Sequence, residues 1–124
     1  MIEALVAGGS ELGVVTSKSL PQARKVIDAL PFGVHFKRVY GPEPHVGEHS
    51  TKASMIARAL DDFGVPAPLT AMIGDRLFDI KGALANGVTG IGVLWGFSQR
   101  DELEAAGAHA IAGSPAELRT LLVA

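Results

Sequence analysis

Two acids four positions apart, a lysine and a pair of hydroxyls are the residues of this 124-residue chain whose types and spacing can do chemistry. The acids lie in Leu69-Thr70-Ala71-Met72-Ile73-Gly74-Asp75-Arg76-Leu77-Phe78-Asp79-Ile80, an apolar run that meets a glycine and an acid just as a helical pattern begins. Asp75 is expected at the carboxyl end of a strand, where open α/β sheets bind ligands. Asp79 is expected one turn into the next helix, where a four-residue spacing returns its side chain to the same face. Two converging carboxylates suit a hard cation such as Mg²⁺, which prefers oxygen ligands and keeps several waters. A structural use of the same residues is open as well, with Asp75 as an N-cap and Asp79 as an acid favoured by the helix dipole.

The hydroxyls follow a second apolar run. Thr16-Ser17-Lys18 comes directly after Leu12-Gly13-Val14-Val15. Hydroxyls and backbone N–H groups just ahead of a helix suit an anion such as phosphate, although an ST-turn or N-cap uses them too. Lys52 stands at the start of a predicted helix, where the dipole disfavours a cation. A phosphate or a carboxylate cluster facing Lys52 would offset that penalty.

The elements that must position these groups can be read from periodicity and punctuation. Ile2–Ala7 reads as the tail of a helix closed by Gly8-Gly9, so the chain opens on a helix, partway through a unit. Leu12–Thr16 is a short strand, and Leu20–Leu30 a helix with Pro21 in its first turn. Phe36–Tyr40 is a second strand, with Lys37 and Arg38 arguing against its full burial. Residues 41–50 are loop. Thr51–Phe63 is an amphipathic helix ended by Gly64. Pro66 and Pro68 mark a turn into the Leu69–Ile73 strand, and Leu77–Asn86 is the next helix. Thr89–Leu94 is a strand, Gln99–Ala106 a helix and His109–Ile111 a brief extended piece. Ser114-Pro115 starts a last helix through Leu122. This alternation predicts an α/β fold, a doubly wound parallel sheet in one domain over residues 1–124.

Composition narrows the classes. Hydrophobic residues make up 48% of the chain and mean hydropathy is +0.29, as in sheets covered on both faces. A net charge of −2 and a pI near 6.0 give no basic footprint for nucleic acid. Without cysteine there is no disulfide, thiolate metal site or cysteine nucleophile. The apolar start lacks a basic leader, and no run approaches the roughly 20 apolar residues of a membrane span, so a cytoplasmic protein without a membrane partner is expected. His45 and His49 have a metal-like spacing, but Pro44 and Gly47 place them in a loop. Trp95 and Phe97 follow a strand end, where they could line a substrate pocket, although packing is the expected use. Arg76 is placed to orient Asp75.

Hydroxyl, lysine and two carboxylates, in that order and each at an element end, resemble the haloacid-dehalogenase-like phosphohydrolase superfamily, in its phosphoglycolate-phosphatase-like branch. Leu12-Gly13-Val14-Val15-Thr16-Ser17-Lys18 is similar to the family's second motif, Lys52 in Ser50-Thr51-Lys52-Ala53-Ser54 to its third, and Met72–Ile80 to its fourth. The tail Ile91-Gly92-Val93-Leu94-Trp95-Gly96, then Asp101-Glu102-Leu103 and Gly107-Ala108, is similar to that branch. The resemblance implies that Thr16 and the Ser17 amide hold the transferring phosphoryl group and that Lys52 neutralises charge on it. It implies that Asp75 ligates Mg²⁺, with Asp79 as a second ligand or a support.

The family's first motif, a strand ending in Asp-x-Asp whose first acid forms the aspartyl-phosphate, has no counterpart in the chain. Asp28, Asp61, Asp62 and Asp101 fall in or near predicted helices. The helical cap of that branch is missing as well. The resemblance therefore predicts the C-terminal portion of a phosphatase for a small phosphorylated substrate, inactive alone and with its family's central strand missing. That gap leaves strand edges for a partner strand or for self-association. A non-catalytic phosphate-binding or interaction module on the same fold is the alternative. A phospho-receiver domain fits less well, because its first strand needs an acidic pair where this one has Thr16-Ser17-Lys18.

Overall fold

The structure is a computed structural model that describes residues 1–42, 51–96 and 99–123. They divide into two compact units, Met1–Phe63 and Gly64–Leu122.

The first unit opens with helix α1 (Ile2–Ala7), followed by strand β1 (Leu12–Val15), helix α2 (Leu20–Ala29), strand β2 (Phe36–Tyr40) and helix α3 (Lys52–Phe63). β1 and β2 pair in parallel, with Val14 opposite Val39 and Val15 opposite Tyr40. Thr16 extends the ladder by one bond, its N–H donating to the Tyr40 carbonyl at 2.9 Å. Val39, Tyr40, Ala23, Met55 and Ile56 are buried. α3 starts where the Thr51 hydroxyl accepts from the Ser54 N–H at 3.1 Å, which satisfies one of the helix's orphan donors. It stops at Gly64, whose φ of +67° costs a glycine nothing.

The second unit contains strand β3 (Ala71–Gly74), helix α4 (Leu77–Ala85), strand β4 (Thr89–Val93), helix α5 (Arg100–Ala105), strand β5 (Ala110–Ala112) and helix α6 (Pro115–Leu122). The three strands form a parallel sheet in the order β3-β4-β5. β4 is central and nearly continuously buried, as a strand covered on both faces must be. On one face Gly90 lies under Ile80 and Ala83 of α4, and Gly92 lies under Leu103 of α5. Side chains alternate across a strand, so Ile91 and Val93 turn to the other face, where they cluster with Ala112 and Leu118 of α6. Ser114 caps α6, its Oγ accepting from the Glu117 N–H at 3.2 Å.

The α/β class with parallel strands is the one expected from the sequence. Among the described residues β1 is paired only with β2, and β3 only with β4. Four of the five strands differ from their expected bounds by one or two residues, and two of the starts shift for local reasons. β3 begins at Ala71 because Pro66 and Pro68 set up a 3₁₀ turn over Ala67–Leu69, closed by Leu69 N–H donating to the Pro66 carbonyl at 3.0 Å. Leu69 is consequently 82% exposed. β5 begins at Ala110 because the side chain of His109 takes part in the pairing. Nδ1 of His109 accepts from the Gly90 N–H at 3.0 Å while the backbone N–H of His109 donates to the Gly90 carbonyl at 2.8 Å.

Candidate functional site

In the first unit, the end of β1 meets the start of α3. The Lys52 ammonium donates to the carbonyl of Val15, the last residue of β1, at 3.2 Å. A lysine at a helix N-terminus is thus held by a carbonyl dipole rather than left in the field of the helix. Its charge comes to rest one residue before Thr16. The Thr16 hydroxyl accepts from the Lys18 N–H at 3.2 Å, which is the ST-turn use of this tripeptide. That contact pins the hydroxyl at the strand end and leaves its own proton available to donate. Ser17 is exposed.

In the second unit, Asp75 follows β3 directly and Asp79 occupies the third position of α4. The helix N-cap is Arg76, so Asp75 is not the cap and stands one residue before it. Asp79 does the local work, accepting from the Arg76 N–H at 3.3 Å through Oδ2 while its own N–H donates to the Arg76 carbonyl at 3.1 Å. Its side chain is buried, with the residue 4% exposed, an uncommon setting for a carboxylate. The Arg76 guanidinium lies 5.6 Å from the centroid of the Phe78 ring.

Both carboxylates rest on glycine. A Cβ at Gly74 would overlap the Asp79 side chain, and a Cβ at Gly96, beyond the end of β4, would overlap the Asp75 side chain. The close approach of backbone to each acid fixes where the carboxylates sit, which is what a metal site requires of its ligands. The donor set fits Mg²⁺. Two carboxylates leave room for waters and phosphate oxygens, and among the described residues no group of three or more His, Cys, Asp or Glu forms the fuller cage that other metals take. The importance of Gly74 and Gly96 escaped the sequence reading. The signal was present, since both glycines end apolar strand runs, but the partner of Gly96 is 21 positions away.

Other candidates are placed as well. Trp95 was expected to pack, yet it is 48% exposed, because it lies past the last paired residue of β4. His45, His49 and Phe97 lie outside the described residues. No helix among the described residues is long and apolar enough to cross a membrane.

Comparison with known proteins places these motifs in context. The family model described as haloacid dehalogenase-like hydrolase matches residues 1–93. The chain belongs to this family. A curated relative from Pseudomonas aeruginosa, named 5'-nucleotidase, is 44% identical over 105 residues, covering 85% of this chain and 47% of its own length. The phosphoglycolate phosphatase of Rhodospirillum rubrum is 30% identical over 111 residues, covering 90% of this chain and 45% of its own. A crystal structure from Clostridium acetobutylicum, described as a predicted phosphatase, superposes with a TM-score of 0.90 at 32% identity, over 97% of this chain and 55% of that one. The chain thus spans about half the length of these family members.

Proposed function

We propose that the chain carries the phosphate-holding and metal-holding residues of a Mg²⁺-dependent phosphate-monoester hydrolase of the phosphoglycolate phosphatase type, and that alone it turns over little or no substrate. The names of the relatives support hydrolysis of a phosphate ester as the class of reaction. The observation that carries the metal half is the seating of the Asp75 and Asp79 carboxylates against Gly96 and Gly74.

Thr16 and the Ser17 amide are assigned to the phosphoryl oxygens, as donors at the end of β1. Lys52, held at that strand end by Val15, neutralises charge on the same group. Asp75 is assigned as a Mg²⁺ ligand, and Asp79 as a second ligand or as the support that fixes the β3–α4 turn. Bound Mg²⁺ would supply counter-charge to the phosphoryl oxygens. Phosphoryl transfer depends on such positioning and electrostatics more than on covalent work by the site.

Inactivity of the isolated chain follows from where its other aspartates fall. Asp28 lies in α2, Asp61 and Asp62 in α3, and Asp101 in α5. None is presented at a strand end, so none is offered as the nucleophile of an aspartyl-phosphate. The test is hydrolysis of p-nitrophenyl phosphate by the purified 124-residue chain with and without Mg²⁺. No turnover above background is expected. Robust Mg²⁺-dependent turnover, lost in Asp75→Ala, would overturn the assignment of an incomplete chain.

A further inference from the structure

The first unit holds a polar cavity that neither Thr16 nor Lys52 lines. It lies among α2, β2 and α3, has a volume of about 230 Å³, and is bordered by Arg24, Arg38, Arg58, Tyr40 and Asp62. Lys37 also lines it, paired with Glu11 at 3.0 Å, so three arginines face one lining carboxylate, in a chain whose net charge is −2.

The arginines are held in a way that leaves their donors usable. The Arg58 guanidinium lies 5.6 Å from the centroid of Tyr40, and that of Arg38 lies 5.9 Å from the centroid of Phe63. Stacking on an aromatic face orients a guanidinium without consuming its N–H groups. The one acid that lines the cavity is already engaged. Asp62 Oδ2 accepts from the Tyr40 hydroxyl at 2.7 Å and stands 4.0 Å from Nη1 of Arg38. Arg24 and Arg58 make no ion pair with any described residue. Burial and the bond to Asp62 push the Tyr40 phenol up to about 12, so Tyr40 adds no negative charge to the wall at ordinary pH.

We infer that this cavity is an anion site, distinct from the Thr16–Lys52 strand end, that takes a phosphate group, free or as a monoester, on the Arg24 and Arg58 guanidiniums. Arginine forks match the tetrahedral oxygens of phosphate through paired N–H donors. At about 230 Å³ the cavity is smaller than the roughly 300–1,000 Å³ of sites for drug-sized ligands, a scale suited to one phosphate group.

The test is an NMR titration of the full chain with inorganic phosphate and with phenyl phosphate, following the Arg side-chain Nε–H signals and the Gly41 amide. Both probes should shift Arg58 and Gly41 saturably, and the tighter of the two tells whether the free anion or an ester is preferred. The double substitution Arg24→Gln/Arg58→Gln should weaken binding at least tenfold, and Lys52→Ala should leave these signals' response unchanged. Arg24→Gln alone, on an exposed helix position, should weaken it measurably and guards against misfolding of the double variant. Equal shifts from sodium chloride at matched ionic strength, unshifted Arg58 and Gly41 signals, or unchanged affinity in Arg24→Gln would each overturn the inference.

Discussion

The Nζ of Lys52 donates to the Val15 carbonyl at 3.2 Å, joining the first residue of α3 to the last of β1 across 37 positions of sequence. This bond sets a positive charge beside Thr16. Replacing Lys52 by Met should cost about 1 kcal/mol of stability, the usual net worth of one such bond, and should weaken phosphate binding at the β1 end about tenfold. Thermal melts and a titration that follows the Thr16 and Ser17 amides check both effects. Unchanged amide responses would remove Lys52 from the phosphate-holding group.

The two glycines that seat the acids make a stricter prediction. Gly74→Ala forces a Cβ into the Asp79 side chain, and Gly96→Ala forces one into that of Asp75. Overpacking of this kind costs about 1–3 kcal/mol. Each substitution should also move the carboxyl ¹³C resonance of its own aspartate, while Gly113→Ala, at a looser contact, should move neither. Equal stability and unmoved resonances in both variants would show that the glycines do not position the acids.

Tyr40 supplies a pH dependence. It is the chain's single tyrosine, so phenolate absorbance reports it alone. Burial, and then the hydrogen bond to Asp62, raise its pKa from 10.0 to about 12. Between these values the folded chain keeps a proton that the unfolded chain loses, so stability falls as pH rises. The contribution is fully present below about pH 10 and is lost by about pH 12, for a total of about 3 kcal/mol. Asp62→Asn should bring the midpoint part of the way back, because burial persists. A midpoint near 10 in the wild-type chain would contradict the pairing.

Much of this was legible in advance, and the rest was not for definite reasons. The alternation of apolar runs with helical patterns located every strand among the described residues, because buried parallel strands and amphipathic helices leave strong periodic signals. Asp75 and Asp79 were legible because their geometry is local, set by one strand end and the first turn of one helix. The start of β3 was misplaced because Leu69 continues the apolar run in composition while two prolines bend it in space. The bond from Tyr40 to Asp62 spans 22 positions and joins a strand to a helix, a contact that no window of sequence displays. The same holds for the approach of Gly96 to Asp75.

The strand edges lead to an expectation about assembly. Among the described residues, β1 (Leu12-Gly13-Val14-Val15) and β3 (Ala71-Met72-Ile73-Gly74) each pair on one side only, and neither carries the proline or lysine that blunts exposed edges. The isolated chain is expected to self-associate as concentration rises. Light scattering over a concentration series checks this, and a monodisperse monomer at the highest concentration would contradict it.

The central claim is that Asp75 and Asp79 form a seat for a divalent cation, and paramagnetic broadening by Mn²⁺ as a probe for the Mg²⁺ site tests it most directly. In the wild-type chain, substoichiometric Mn²⁺ should selectively broaden the amides of residues 74–79 and of Gly96, and excess Mg²⁺ should reverse the effect. Asp75→Asn should abolish the broadening without changing the fold. Mn²⁺ that broadens other regions instead, or broadens Asp75→Asn as it does the wild type, would contradict the account.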